Sequence, residues 1–566
     1  MYILGISGWV DRGHDASAAL LKDGKLVAAA EEERFLRRKH AYDVLPYNAI
    51  RFCLDESQIG VDDIDYVSLY WDWPLHYKIR AIDRDLDKSK LIEALFPSNL
   101  FEYGKSPELV FVNHHLSHAA SAYRMSGFDQ SAILVADGSG EDVSTSIWYG
   151  NENEITLVRK IDIPNSIGFF YEAATHYVGL EADEPGKTMG LASYGRPRLK
   201  TEDFFELMRD GYSARIPEGR IILGLDGISD EQKQLQKYWT EEFTRRLGPK
   251  NERVHQYDRL SGRYSSEAIM GQLHMDTAAS AQRILEDLIL HLTKIATEET
   301  GSKNLSVAGG VGLNCVANGK VLQSGLVDDI FIQPAANDAG GSLGAALELY
   351  AQLGYPSKSK MDHAYLGPQF SREELEDVLT RLKIPYERHD DIEPLTAELL
   401  SKGNIIGWFQ GRMEWGPRAL GSRSILADPR DPEMKNKVNS YVKFREWFRP
   451  FAPSVLEEHA VDYLVDAHPS PFMLLNFDVP ERKRGEVPSV VHVDGTTRPQ
   501  TVNRDVNPRY WELIREFGEI TGVPLVLNTS FNVRGEPLIS TPYDAIKTFY
   551  STGLDYLVLD NLLVRK

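Results

Sequence analysis

The chain has 566 residues, with 63 Lys and Arg against 83 Asp and Glu, a formal net charge of -20. That length exceeds the ~250–300 residues one hydrophobic core organises, so at least two domains are expected. A composition of 42% hydrophobic and 26% charged residues excludes a disordered, collagen-like or fibrous chain, and the acidic balance argues against nucleic acid or a membrane surface as partner. The only cysteines are Cys53 and Cys315, too few for a disulfide framework or a Cys-based zinc site, so a reducing cytoplasmic location is expected. The opening MYILGISGWVDRG reads as a strand rather than a signal peptide, and no apolar run approaches the ~18–20 residues of a membrane span.

In chain order, Tyr2–Ser7 is the first expected strand, and residues 16–21 and 25–31 form a hairpin about Lys22-Asp23-Gly24. A second block repeats the plan. Strand 131–136 ends in Asp137-Gly138-Ser139-Gly140, and strands 143–149 and 155–161 flank a turn at 150–153. Two such units in succession indicate an internal duplication. Helices are expected over 166–177, 229–247 and 277–300, the last with Ile284, Leu285, Leu288, Leu292 and Ile295 spaced three and four apart. Strand 305–308 runs into Gly309-Gly310, strand 329–333 into the loop 334–338, and a small-residue helix covers 339–353. Beyond ~360 the composition shifts. Segment 411–449 carries nine Lys or Arg against five Asp or Glu, and the domain boundary is placed at 355–365. The last two dozen residues read helix then strand and fit either domain.

Several motifs carry chemistry. His114 and His118, in VNHHLSHAASAY, fall on one face if a helix starts there. With Asp137 and Asp338, each at a strand end, they make a mixed nitrogen and oxygen set suited to Fe²⁺, Mn²⁺ or Zn²⁺; the spacing equally allows histidines that only cap or pack. Gly309, Gly310 and Asn314 sit between a strand and a helix, where backbone approaches a ligand closely and a helix N-terminus favours phosphate. Gly186-Lys187-Thr188 is not a P-loop, because Glu181 stands where that pattern requires glycine; Lys187 remains a point charge for phosphate. His14, after the first strand, is a candidate general base or a plain turn histidine. The run Glu31-Glu32-Glu33 reads as a solvated edge. Arg418, Lys443, Arg449 and Arg498, with the amide and hydroxyl of Asn528 and Ser530, describe a pocket for a small, highly charged anion.

Taken in order, HDASAAL, EEERFLRRKH, NHHLSHAASAY, DGSGE, GKTMGLASYG, GGVGLNC, QPAANDAGGSLGAA, WGPRALGSRSIL, FRPFAPS and LNTSFN resemble the O-carbamoyltransferases. That family includes the nodulation-factor, cephem, ansamycin and aminoglycoside enzymes; the tobramycin-type branch is most similar in length and opening. The resemblance implies an α/β chain with two domains. A duplicated Kae1-like domain of the actin/Hsp70/sugar-kinase class spans 1–358, and an α+β YrdC-like domain spans 359–566. It also implies two reactions: carbamoyl phosphate and ATP (with Mg²⁺) give carbamoyl adenylate in the YrdC-like domain, and a metal-assisted step in the Kae1-like domain transfers the carbamoyl group to a hydroxyl of a natural product, as in antibiotic biosynthesis. By the same resemblance His114, His118, Asp137 and Asp338 would hold the metal, iron(II) by preference. Lys187, Gly309, Gly310, Asn314 and Asn337 would line the nucleotide, and His14 would deprotonate the acceptor. Arg418, Lys443, Arg449, Arg498, Asn528 and Ser530 would bind carbamoyl phosphate and the ATP phosphates. Ser193 stands where the family commonly has proline.

Three rivals share the folds. A threonylcarbamoyl-adenylate enzyme acting on tRNA wants a basic surface, against the charge of -20. A non-catalytic nucleotide sensor and a sugar kinase both leave the arginine-rich domain idle. Acceptor contacts are expected in loops near 80–105 and 210–265.

Overall fold

The computed structural model describes residues 1–9, 13–84, 86–221, 228–258, 263–268 and 270–566. The 210–265 stretch therefore lies partly outside the described residues. Contacts divide the chain into two units: Met1–Tyr70, Lys88–Val110 and Asp338–Lys566 form one, Trp71–Asp87 and Phe111–Asn337 the other.

The first unit opens with β1 (Tyr2–Ser7), β2 (Ser17–Lys22), β3 (Lys25–Glu31), β4 (Tyr66–Leu69) and β5 (Glu108–Phe111), in sheet order β3-β2-β1-β4-β5. β1 runs antiparallel to β2 and parallel to β4. The β2–β3 turn places Asp23 at φ 49 and Gly24 at φ 76, the left-handed pair that a tight hairpin demands.

The second unit repeats this arrangement with β6 (Gln130–Ala136), β7 (Val143–Asn151), β8 (Glu154–Asp162), β9 (Asn304–Ala308) and β10 (Asp329–Ile332). The order is β10-β9-β6-β7-β8, with β6 antiparallel to β7 and parallel to β9. The duplication expected from the sequence is present strand for strand. One turn is shorter than expected: β7 continues through Gly150, leaving Glu152-Asn153 as the tip. A Cβ on Gly150 would stand 2.6 Å from the Tyr123 ring, so this glycine makes room for an aromatic rather than marking a turn. Helices in this unit include α1 (His114–Ser126), α2 (Ile167–Tyr177), α3 (Pro185–Ala192), α4 (Gln272–Thr300) and α5 (Cys315–Gln323).

Back in the first unit, α6 (Ala339–Gln352) lies on β1 and β2. Its small residues permit this closeness: a Cβ on Gly5 would fall 1.8 Å from Ser342 O. The C-terminal region builds an eight-stranded sheet from β11 (Glu387–Arg388), β12 (Ile406–Phe409), β13 (Arg423–Ala427), β14 (Ala452–Leu456), β15 (Gln500–Val502), β16 (Leu525–Ser530), β17 (Tyr556–Leu559) and β18 (Leu562–Arg565). Its order is β11-β18-β17-β12-β13-β16-β14-β15, so the final two strands belong to this sheet. The helices Ile392–Ser401 and Pro508–Thr521 contribute Ile392, Leu400, Leu513, Ile514 and Phe517 to a core with Trp408, Val526 and Val558.

The three consecutive glutamates are not a solvated edge. Glu31, Glu32 and Glu33 are 5%, 1% and 9% exposed. Glu32 accepts from Asn48 Nδ2 at 2.5 Å and Ala49 N at 2.9 Å, holding the start of the helix Tyr47–Ser57. Arg34, itself buried, donates to both oxygens of Glu31 at 2.9 Å and lies 2.7 Å from Glu33. An arginine one to three residues away neutralises carboxylates that would otherwise stay in water. Among the described residues no helix is long and apolar enough to cross a membrane.

Candidate functional site

In the second unit, Asn113 caps α1 by accepting from Leu116 N at 3.0 Å, which fixes the helix start at His114. His114 and His118 then share the first-turn face, with ring centroids 4.6 Å apart and both residues fully buried. Asp137, at the end of β6, brings Oδ2 to 3.3 Å from His114 Nε2 and 3.1 Å from His118 Nε2. Its Oδ1 accepts from Gly138 N at 2.8 Å and Gly310 N at 3.2 Å, so the carboxylate is aimed by backbone on one side. Burial pushes the Asp137 carboxyl up, but its bonds to the two histidines outweigh this and hold it well below the usual carboxylate range. Ligand atoms from these three residues lie within 4.8 Å of one another, a buried donor set of two imidazoles and a carboxylate that fits a divalent cation. Behind it Glu141 Oε1 accepts from His114 N at 3.0 Å and Asp72 N at 2.8 Å, and Trp71 packs edge-on against His114 at 4.7 Å. His115, between the two histidines, is tied to Ser146 Oγ at 2.7 Å and Val143 O at 3.0 Å and is structural.

The glycine turn abuts this group. Gly309 has φ 88, and a Cβ there would fall 2.3 Å from Ala136 O, so only glycine lets β9 end against β6. Asn314 caps α5 by accepting from Ala317 N at 3.1 Å, and its Nδ2 donates to Gln282 Oε1 at 2.9 Å. Asn337 Oδ1 is buried and accepts no hydrogen bond among the described residues, which leaves an amide oxygen for a donor from elsewhere. Lys187 lies in α3, buried and ion-paired with Glu184.

In the first unit, Asp338 accepts from Tyr70 Oη at 3.0 Å, and its Oδ2 lies 3.9 Å from His14 Nε2. The His14 side chain is half exposed, with Nδ1 3.1 Å from Asp15 Oδ2.

The eight-stranded sheet carries the second group. Lys443 is buried and donates to Ser530 O at 2.6 Å, Ser530 Oγ at 3.1 Å and Asn532 O at 2.8 Å, and also to Asn532 Oδ1. Burial, then the charges of Arg445 and Arg449, push its ammonium well below the ordinary lysine range. Arg445 is likewise lowered by burial, Arg449 and Arg498. Four cations thus crowd together with Glu446, 3.8 Å from Arg449, as the acid close to them. Asn528 Nδ2 donates to Ala419 O at 3.1 Å and Ser454 Oγ at 2.9 Å, tying the Arg418 loop to β16. Those donations fix the amide, and its Oδ1 is left buried without a partner among the described residues. Arg445 was missed in the sequence, although it sits in the same KFREWFRP run as Lys443 and Arg449; Asp15, His40 and Glu141 were passed over in motifs already singled out.

Family models place this architecture. The carbamoyltransferase N-terminus matches residues 2–347 and the carbamoyltransferase C-terminus residues 397–566. The chain belongs to the carbamoyltransferase family and is an enzyme of that class. Among its relatives, nodulation protein NolNO of Sinorhizobium fredii is 39% identical over 98% of this chain and 79% of its own length. Nodulation protein NolO of Bradyrhizobium diazoefficiens is 41% identical over 80% of this chain and 79% of its own. The Synechocystis protein sll1178 is 38% identical over 100% of this chain and 97% of its own.

Proposed function

We propose that the chain is an ATP-dependent O-carbamoyltransferase working in two steps. Carbamoyl phosphate, ATP and one water give carbamoyl adenylate, phosphate and pyrophosphate in a YrdC-like domain, and a Kae1-like domain of the actin/Hsp70 class transfers the carbamoyl group to a hydroxyl, releasing AMP. A carbamoyl carbon is a poor electrophile because nitrogen donates into it, and an adenylate leaving group activates it. The observation that carries this reading is the cluster of Lys443, Arg445, Arg449 and Arg498, in which burial and then the neighbouring cations lower the Lys443 and Arg445 groups, a setting suited to an anion. A substrate bringing several phosphates relieves that repulsion. The open Oδ1 of Asn528 suits the amino group of carbamoyl phosphate, with Ser530 and Arg418 beside it.

His114, His118 and Asp137 would hold the divalent cation, iron(II) by preference. Bound there, the cation supplies Lewis-acid polarisation of the carbamoyl carbonyl. His14 accepts the proton of the acceptor hydroxyl at Nε2. Gly309 and Gly310 let a nucleotide approach backbone, Asn337 Oδ1 accepts from its base or ribose, and Lys187 and Asn314 flank it. The acceptor is a hydroxylated natural product, aminoglycoside-like by the charge of -20, which attracts polycations. No nucleic acid or membrane takes part.

Phosphate and pyrophosphate release from ATP, with and without carbamoyl phosphate and no acceptor present, tests the first step. Release that requires carbamoyl phosphate is expected. Release driven by threonine and bicarbonate would move the chain to the tRNA-modifying class, and silence from folded, metal-loaded protein would favour a sensor or kinase.

A further inference from the structure

His40 has no role in the two-step reading, yet its surroundings are specific. The side chain of Asp15 is divided between two imidazoles. Its Oδ2 lies 3.1 Å from His14 Nδ1, and its Oδ1 lies 2.9 Å from His40 Nδ1. An ionised carboxylate only accepts, so both histidines must donate from Nδ1, and a neutral His14 then carries its lone pair on Nε2. Burial pushes the Asp15 carboxyl up, but the charges and bonds of His40 and His14 more than reverse this and keep it ionised.

The backbone is shaped around the same contact. Asp15 N donates to His40 O at 2.6 Å, and His40 N donates to Glu33 Oε2 at 2.6 Å. Asp15 sits at φ 51, His40 at φ 63 and Ala41 at φ 40, left-handed values that cost energy in residues other than glycine and are kept where surrounding structure enforces them. The His40 Nε2 is buried with no partner among the described residues, so the ring is held through Nδ1 toward Asp15. Asp15, Glu33 and His40 also bring ligand atoms within 4.8 Å of one another. They do not read as a metal centre, because each Asp15 oxygen is engaged by an imidazole and Glu33 lies 2.7 Å from Arg34.

We propose that Asp15 and His40 are positioning residues for His14: Asp15, braced by His40, locks the His14 ring in the Nδ1–H tautomer and leaves Nε2 as the atom that takes the acceptor's proton. This deepens the reading of His14 as the base and rests on it. The logic is that of a carboxylate orienting a catalytic imidazole, here with a second imidazole bracing the carboxylate. A solution histidine has no such constraint, so the arrangement gives this half-exposed side chain one defined tautomer, with its lone pair on Nε2.

The test uses full-length protein loaded with Zn²⁺ and labelled with ¹⁵N-histidine, the His14 signals being assigned by their loss in His14→Asn. His14 is expected to show a protonated Nδ1 and an unprotonated Nε2. In Asp15→Asn that pattern is expected to reverse or average, because one side of the amide is a donor, and asparagine tolerates the left-handed backbone. His40→Asn is expected to give a mixed pattern at His14, with pyrophosphate release unchanged, while kcat for transfer to an aminoglycoside panel falls about 10²-fold at constant KM. A His14 that carries Nε2–H in the parent, or whose pattern in Asp15→Asn and in His40→Asn is unchanged from the parent, overturns the proposal. A shifted tautomer with undiminished transfer upholds the lock and overturns His14 as the base, so the two failures are told apart.

Discussion

The backbone N–H of Gly416 donates to Glu31 Oε1 at 3.1 Å, although 385 residues separate them in the chain. Arg34 Nη2 completes the contact by donating to Gly416 O at 2.9 Å. The end of β3 is thereby tied to the loop that carries Arg418, within one unit. Arg37 extends the seam by donating to Leu538 O at 2.6 Å and Pro537 O at 2.9 Å.

Replacing Arg34 should therefore be costly. The side chain is 4% exposed and balances Glu31 and Glu33. Arg34→Met leaves two buried carboxylates uncompensated, and a loss of about 3–5 kcal/mol is expected. Urea unfolding at neutral pH measures it; a loss under about 1 kcal/mol would mean these acids are solvated in solution.

Within the cation cluster, stability and activity should separate. Lys443 spends its donors on Ser530 and Asn532, so Lys443→Met strands their acceptors and is expected to cost roughly 3 kcal/mol whether or not ligand is present. Arg449 is more exposed and repels both Lys443 and Arg445. Arg449→Ala should leave stability unchanged or slightly raised while carbamoyl-phosphate-dependent pyrophosphate release falls at least about 10²-fold. Parallel thermal melts and pyrophosphate assays decide this, and normal release from Arg449→Ala would remove it from the adenylation site.

Metal removal should divide the two steps. Stripping the bound ion with a chelator that is then removed and Mg²⁺ restored for ATP, or His118→Ala, is expected to abolish carbamoyl transfer and leave pyrophosphate release intact, because the Lys443 cluster contains no member of the histidine–aspartate set. Metal content by elemental analysis should fall from about one ion per chain to near zero in His118→Ala. Loss of both half-reactions in a folded variant would refute the division.

What the sequence revealed followed from how local each signal was. The Asp23-Gly24 hairpin, the His114 and His118 spacing and the strand ending at Asp137 are set within a few residues, and each was legible. Gly150 misled because the Tyr123 ring it accommodates comes from α1, a contact that no turn pattern encodes. The Glu31–Glu33 run misled for a related reason: its counter-ion is adjacent, but its burial depends on Gly416, hundreds of residues away. The partnership of Asp15 with His40 was hidden because it depends on left-handed backbone at both residues.

A last prediction concerns pH. His76 Nδ1 lies 3.1 Å from Arg80 Nη1, and Arg80 is held by Glu231 at 3.2 Å and by Glu141 O at 2.6 Å. Burial, and then the Arg80 charge, lower the His76 imidazole from 6.5 to about 4. Between those values the unfolded chain binds a proton that the folded chain refuses, so stability rises with pH across that window. His76 therefore costs nothing near pH 7, and its penalty grows as pH falls from about 6.5 to about 4, of order 1–2 kcal/mol once solvent screening is allowed for. In His76→Gln, which can still accept from Arg80 but does not titrate, the stability difference between pH 7 and pH 5 should shrink by about 1 kcal/mol. Urea titrations of both proteins at the two pH values measure the difference directly, and equal acid sensitivity would show that His76 takes up its proton in the folded state.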